Sequence, residues 1–90
     1  MVLPDNHEAI EVESYQKPAG AGPVLVRPIK GQKFAANLAV EGNKSLAADY
    51  PVGTRFRVQV SLMDRTTGSG QYLFSSWQWD VKVLSEPEPG

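Results

Sequence analysis

The chain has 90 residues, enough for one small domain that buries only about 60–65% of the surface its unfolded state exposes. It contains no cysteine, so disulfides and thiolate metal sites are excluded as sources of stability. The formal net charge of −1 excludes the strongly basic overall balance that is typical of nucleic-acid-binding domains.

The two ends of the chain differ in composition from its middle. Residues 1–7 are predicted to be a flexible lead-in, residues 8–84 a single folded domain, and residues 85–90 a disordered tail. The first residues lack the basic start and apolar run of a signal peptide. No apolar stretch approaches the ~18 residues of a membrane-spanning helix. A cytoplasmic protein without a membrane partner is therefore expected.

The first predicted strand covers residues 8–15. Ile10 and Val12 fall on one face and Glu11 and Glu13 on the other, which is the period-two pattern of a strand with one buried face. A short helix is the alternative, because glutamate and alanine favour helices.

A hairpin is predicted from residues 24–30 and 33–40, after a loop rich in glycine and proline. Gly31-Gln32 suits a two-residue type II′ turn, which needs glycine first. Pro28 cannot donate to a strand ladder, so it predicts an edge strand or a bulge. This register places four apolar side chains on the core face: Leu25, Ile29, Phe34 and Leu38.

A short helical turn is predicted between the third and fourth strands. Ser45 can cap residues 46–50, and Pro51 ends the helix because the residue before a proline avoids helical angles. Residues 50–53 then suit a type I turn, with proline second and glycine fourth.

The remaining stretch, Thr54–Leu84, predicts one long hairpin. Residues 54–63 and 71–84 alternate with period two, and the loop between them is rich in turn-forming residues. The predicted buried positions are Phe56, Val58, Val60, Leu62, Trp77, Trp79, Val81 and Val83. The whole order resembles that of an OB-fold barrel over residues 8–84: five strands with one short helical turn between strands three and four. An SH3-like barrel is the runner-up for this small all-β domain.

The side of the sheet on which Tyr72 and Phe74 lie depends on Ser75-Ser76. Without a bulge there, both rings fall on the polar face beside the arginines and form a stacking platform for bases. With a bulge, which a small core favours, both rings and both tryptophans face the core. The two registers have opposite consequences for function.

The charge distribution suggests an anionic partner. The segments 1–13 and 86–88 hold six carboxylates and no cation, while the residues between them hold nine cations and four carboxylates, a balance of +5. We therefore expect a non-enzymatic nucleic-acid-binding module, with the loops after strands one and four flanking its binding face. Its predicted site residues are Arg27, Lys30, Lys33, Arg55, Arg57, Arg65, Tyr72, Phe74 and Trp77.

The alternative is a protein-interaction module, such as an accessory subunit, adaptor or inhibitor. It would dock through an exposed strand edge or an aromatic patch, with a homo-oligomer as a further possibility.

No enzyme activity, metal or other cofactor is expected. Asp5, His7 and Glu8 lie together in a terminal segment, where such side chains are usually solvated. The separate carboxylates Asp49, Asp64 and Asp80 lack the spacing of a paired-acid site.

Overall fold

The computed structural model describes residues 7–16, 23–65, 68 and 70–87. Within them the chain forms six strands and one helical turn. These are β1 His7–Tyr15, β2 Leu25–Pro28, β3 Val40–Glu41, α1 Ser45–Ala48, β4 Arg55–Asp64, β5 Gln71–Phe74 and β6 Val81–Ser85. Residues 1–6 and 88–90 of the predicted lead-in and tail lie outside the described residues.

The strands form one curled, mixed sheet of six strands, where a five-stranded barrel was predicted. The order is β2-β1-β4-β5-β3, and β6 pairs with β4 beside this path. The β3–β5 pair is parallel, and all the others are antiparallel. Because β2 and β3 are at opposite ends of the order and do not pair, the sheet is a half-barrel with an open seam between them.

The first strand is confirmed, and its alternation has the predicted consequence. Ile10 and Val12 are buried, while Glu11 and Glu13 lie on the outer face. β1 pairs with β4 along seven residues and with β2 along four, so it lies inside the sheet. Pro28 lies in β2, at one end of the strand order, as its missing N–H requires.

The long hairpin is confirmed only in its first half. β4 pairs with two separate strands in two different registers: Leu62 lies opposite Leu73 of β5, and Val58 lies opposite Val81 of β6. The predicted single partner strand is therefore divided in two. Between these two registers the partner chain has six residues, 75–80, whereas β4 has only two, residues 59–60, so residues 75–80 form a loop. The four extra residues are an even number, so the strand parity is preserved across the interruption.

The strand is interrupted at Ser75-Ser76 rather than continuous or bulged by one residue. Tyr72 and Phe74 still pair with Met63 and Ser61, on the side of β5 opposite the buried Leu73, which is the side that the register without a bulge predicts. A single-residue bulge would have buried both tryptophans, whereas Trp79 is buried and Trp77 is 70% exposed at a turn. Trp79 N–H donates to Ser76 O at 3.1 Å and closes this turn. Both Tyr72 and Phe74 are half-buried.

The predicted hairpin of residues 24–30 and 33–40 is wrong. β2 pairs with β1, and the two residues of β3 pair with β5. The side chain of Gln32 takes the place of a strand backbone: its Oε1 accepts from Glu11 N–H at 2.8 Å, and its Nε2 donates to Glu11 O and Ile29 O. Residues 33–38 still alternate between exposed and half-buried, but they form no strand ladder.

The helical turn is confirmed, with different details at both ends. α1 spans only Ser45–Ala48, and its N-cap is Lys44 rather than Ser45. The following turn closes from Thr54 N–H to Pro51 O, one residue later than predicted. Gly53 is then the third turn residue, and its φ of 98° is the value that a type II turn gives to glycine.

The core lies on the concave side of the half-barrel. Phe56 is fully buried, and Tyr50 packs edge-on against it at 5.1 Å between ring centroids. The other buried apolar residues of this cluster are Ile10, Val12, Val26, Leu46, Val58, Val60 and Leu73. Because they come from β1, β2, β4, β5 and α1, a single cluster joins four strands to the helical turn.

Candidate functional site

The outer face of β1, β2 and β4 is a ladder of opposite charges. Glu13 lies between Arg27 and Arg55 in the strand register, and its Oε1 is 3.2 Å from Nε of Arg27. Glu11 lies opposite Arg57, with 3.6 Å between Oε2 and Nη2. The acidic start of the chain and its basic middle are therefore interleaved on one face and do not form separate surfaces.

Most of the predicted phosphate-binding cations have carboxylate partners. Besides Arg27 and Arg57, Lys33 pairs with Glu8. Lys30 and Arg55 are exposed and have no carboxylate partner among the described residues. Exposed pairs are worth only about 0–1 kcal/mol each, but each places a negative charge where a phosphate would have to bind.

The side chain of Arg65 lies over the aromatic ring of Tyr72. The guanidinium of Arg65 lies 5.1 Å from the centroid of the Tyr72 ring, and its Nη2 is 2.9 Å from Oε2 of Glu41. One face of the ring is thus covered by a cation that is already paired.

Phe74 packs against Trp79 rather than standing free. Its ring meets the buried Trp79 edge-on, with 5.4 Å between centroids and 90° between planes. Gly42 is also close to this ring: a Cβ there would lie 2.7 Å from Cε1 and 2.9 Å from Cδ1 of Phe74. Phe74 therefore fixes β5 to the loop after β3.

Trp77 is the most exposed large apolar side chain of the described residues, at 70%. It borders a cleft of about 540 Å³ that is otherwise lined by Gly42, Asn43, Lys44 and Ser45. An indole ring at a turn, next to a cleft, is the kind of aromatic side chain that anchors a bound partner.

A second cleft, of about 480 Å³, lies in the seam between β2 and β3. Its lining is mostly apolar and includes Leu25 and Val26 on one side and Ala39 and Val40 on the other. Lys44 is the one cation on the lining of either cleft, within the described residues.

The two clefts share residues 42–44. Together they form one composite surface: the seam between β2 and β3, the loop Gly42–Lys44, and Trp77. Of the predicted site residues, only Trp77 lies on it. Sequence reasoning missed the seam because it paired residues 24–30 with 33–40, which would have closed it. Pro28 was the available signal, since it marks β2 as an edge.

The described residues gather no group for metal binding. Among residues 7–16, 23–65, 68 and 70–87, no three histidine, aspartate or glutamate side chains come together. Asp5, one of the three residues considered from the sequence, lies outside this part of the chain.

Comparisons with known proteins assign no family. No protein-family model matches this chain, and no curated protein or solved structure matches it either. Among the described residues, no helix has the length and apolar character that crossing a membrane requires. The function is therefore argued from the composite surface and its charges.

Proposed function

We propose that this protein is a non-enzymatic interaction module that binds an apolar segment of another protein on its composite surface. One observation carries the proposal: an apolar seam and a cleft beside an exposed tryptophan meet at Gly42–Lys44. Tryptophan is among the residues that most often dominate binding energy at protein interfaces. Unpaired edges such as those of β2 and β3 are used to bind extended segments.

We further propose that the half-barrel is OB-like. The helical turn between β3 and β4 and the parallel β3–β5 pair support this over the SH3-like alternative. β5 and β6 together take the place of the fifth strand, because both pair with β4 on the same side. OB folds bind ligands over strands two and three, which is where the seam lies.

The chemistry of the seam favours apolar side chains. A volume of about 480 Å³ lies within the ~300–1,000 Å³ of typical binding pockets. Among the described residues, the charged side chains on its lining are Lys44 and Glu41, and Glu41 pairs with Arg65. A nucleic-acid backbone needs several cations along its path.

Filling the seam is expected to weaken binding. Peptides would be selected by display from a random heptapeptide library on the immobilised protein, and their affinities measured by fluorescence anisotropy. Ala39→Arg places a long, charged side chain in the seam and should weaken them at least tenfold, a loss of about 1.4 kcal/mol. The matched control is Ala35→Arg, at an exposed position outside both clefts, which should leave affinity unchanged.

Two results would contradict this proposal. The first is equal affinity of the selected peptides for Ala39→Arg and Ala35→Arg. The second is a set of amide chemical-shift changes, on peptide addition, that lie away from β2, β3 and residues 42–44. Circular dichroism of both variants confirms that a loss of binding is not a loss of folding.

Single-stranded nucleic acid is the second candidate, and Trp77 is the observation that favours it. An exposed indole can stack on a base, which is worth about 1–3 kcal/mol, and Lys44 beside it can contact a phosphate. Anisotropy of labelled single- and double-stranded oligonucleotides, at low and moderate salt, tests this.

For nucleic-acid binding we expect steep weakening with salt and a loss of at least fivefold for Trp77→Ala. Gln78→Ala, at the exposed neighbouring position, serves as the control. Absence of binding even at low salt eliminates this candidate.

A further inference from the structure

Asn43 presents a hydrogen-bond donor group to the composite surface. The residue is only 8% exposed, and its Oδ1 accepts from Ser45 N–H at 3.2 Å and from Ser45 Oγ at 2.6 Å. A backbone N–H can only donate, so this contact fixes which end of the amide faces Ser45. Nδ2 has no hydrogen-bond partner among the described residues, and Asn43 lines both clefts.

Lys44 adds an unpaired positive charge at the same place. It is exposed and has no carboxylate partner within the described part of the chain. The nearby carboxylate of Glu41 is held by Arg65 at 2.9 Å. The loop therefore presents amide and ammonium donors, with apolar clefts on both sides.

We infer that the composite surface recognises a segment in which a carboxylate, from aspartate or glutamate, stands next to apolar residues. The carboxylate accepts from Nδ2 of Asn43 and Nζ of Lys44, while the apolar neighbours occupy the seam and contact Trp77. This inference rests on the proposed function and specifies the partner's chemistry.

The number of donors favours a carboxylate over a phosphodiester chain. A carboxylate has two oxygens and needs few donors, whereas successive phosphates need cations at regular intervals along the path. Apart from Lys44, the described lining of the two clefts offers no cation. A nucleic-acid ligand is therefore treated as an outcome of the test.

The sharpest test is Asn43→Asp. The new carboxylate keeps an acceptor for both donors of Ser45, so the loop should retain its local structure. It also replaces the Nδ2 donor by a negative charge. Display-selected peptides that contain aspartate or glutamate should bind this variant at least tenfold more weakly. Their asparagine or glutamine counterparts should bind it and the unchanged protein alike.

Lys44→Gln provides a second, milder variant. Removal of one exposed charge should weaken binding of the acidic peptides two- to fivefold, because an exposed ion pair contributes little. Lys30→Gln is the matched control, since Lys30 is also exposed and lies on neither cleft.

The outcomes separate the inference from the proposed function. Suppose that peptide affinity falls with Ala39→Arg but is unchanged by Asn43→Asp and by replacing the peptide's aspartate or glutamate with asparagine or glutamine. This result would overturn the inferred carboxylate recognition and would leave the proposed interaction module standing. Peptide affinity that is unchanged by Ala39→Arg would overturn both the inference and the proposed function. Displacement of acidic peptides by a single-stranded oligonucleotide at micromolar concentration would assign the surface to nucleic acid and overturn the inference.

Discussion

Gly42→Ala is expected to destabilise the fold by about 3 kcal/mol or more. Gly42 has a φ of 104°, which side chains rarely adopt, and an added Cβ would lie 2.7 Å from Cε1 of Phe74 and 2.8 Å from the carbonyl oxygen of Ser75. The ring could move only by disturbing Trp79. The carbonyl cannot move freely, because Ser75 N–H donates to Glu41 O at 2.8 Å. Urea unfolding followed by circular dichroism measures the loss.

The matched control is Gly31→Ala. Gly31 also has a positive φ, 93°, but a Cβ there meets nothing within 4 Å. Its cost should be the backbone strain alone, about 1–2 kcal/mol. Equal unfolding midpoints for the two variants would show that the close approach of Gly42 to β5 contributes nothing. A larger destabilisation by Gly42→Ala would show that the close packing of Gly42 against β5 holds β3, and with it one side of the seam, in place.

Gln32→Ala is expected to cost about 1–3 kcal/mol. The substitution removes three hydrogen bonds at 2.6–2.9 Å and leaves Glu11 N–H without its acceptor. The site is only half-buried, so water can replace part of what is lost. Urea unfolding again measures the change, and amide hydrogen exchange at Glu11 reports whether its N–H loses protection.

Gln78→Ala serves as the control for Gln32→Ala, because Gln78 is exposed and its side chain makes no hydrogen bond to the described residues. The free energy of unfolding of Gln78→Ala should lie within about 0.5 kcal/mol of that of the unchanged protein. If Gln32→Ala behaved the same way, the segment after β2 would not depend on this side chain.

The hypothesis drawn from charge illustrates how sequence position and spatial position differ. Counted along the chain, acidic ends flank a basic middle. In the fold, β1 lies between β2 and β4, so antiparallel pairing sets Glu11 and Glu13 against arginines of both neighbours. Strand order, which a charge count does not contain, paired Arg27 and Arg57 with carboxylates of β1.

The elements that could be predicted are those with a strong local pattern. β1 and β4, of 9 and 10 residues, alternate over most of their length and pair with each other, so their hydrophobic faces alone specify which side is buried. The helical turn was signalled by its sequence neighbours, including Pro51. Each of these signals lies within a few residues of the structure it produces.

The elements that could not be predicted depend on competing long-range contacts. Residues 33–38 have the alternation of a strand, but Gln32 bonds to Glu11, 21 residues away, and takes the ladder position that a hairpin would need. Trp77 and Trp79 share one parity in the sequence. The turn closed at Ser76 exposes one and buries the other.

The sequence by itself therefore determined a small, mostly β domain with a helical turn and the buried faces of its two longest strands, because period-two alternation is a local property. Only the tertiary structure decided that the sheet stays open between β2 and β3. It also decided that Trp77 points outward and that Asn43 and Lys44 meet beside it. These features arise from strand order and from loop contacts between residues far apart in the chain. The candidate site lies in them rather than in the aromatic and arginine pattern of β4 and β5.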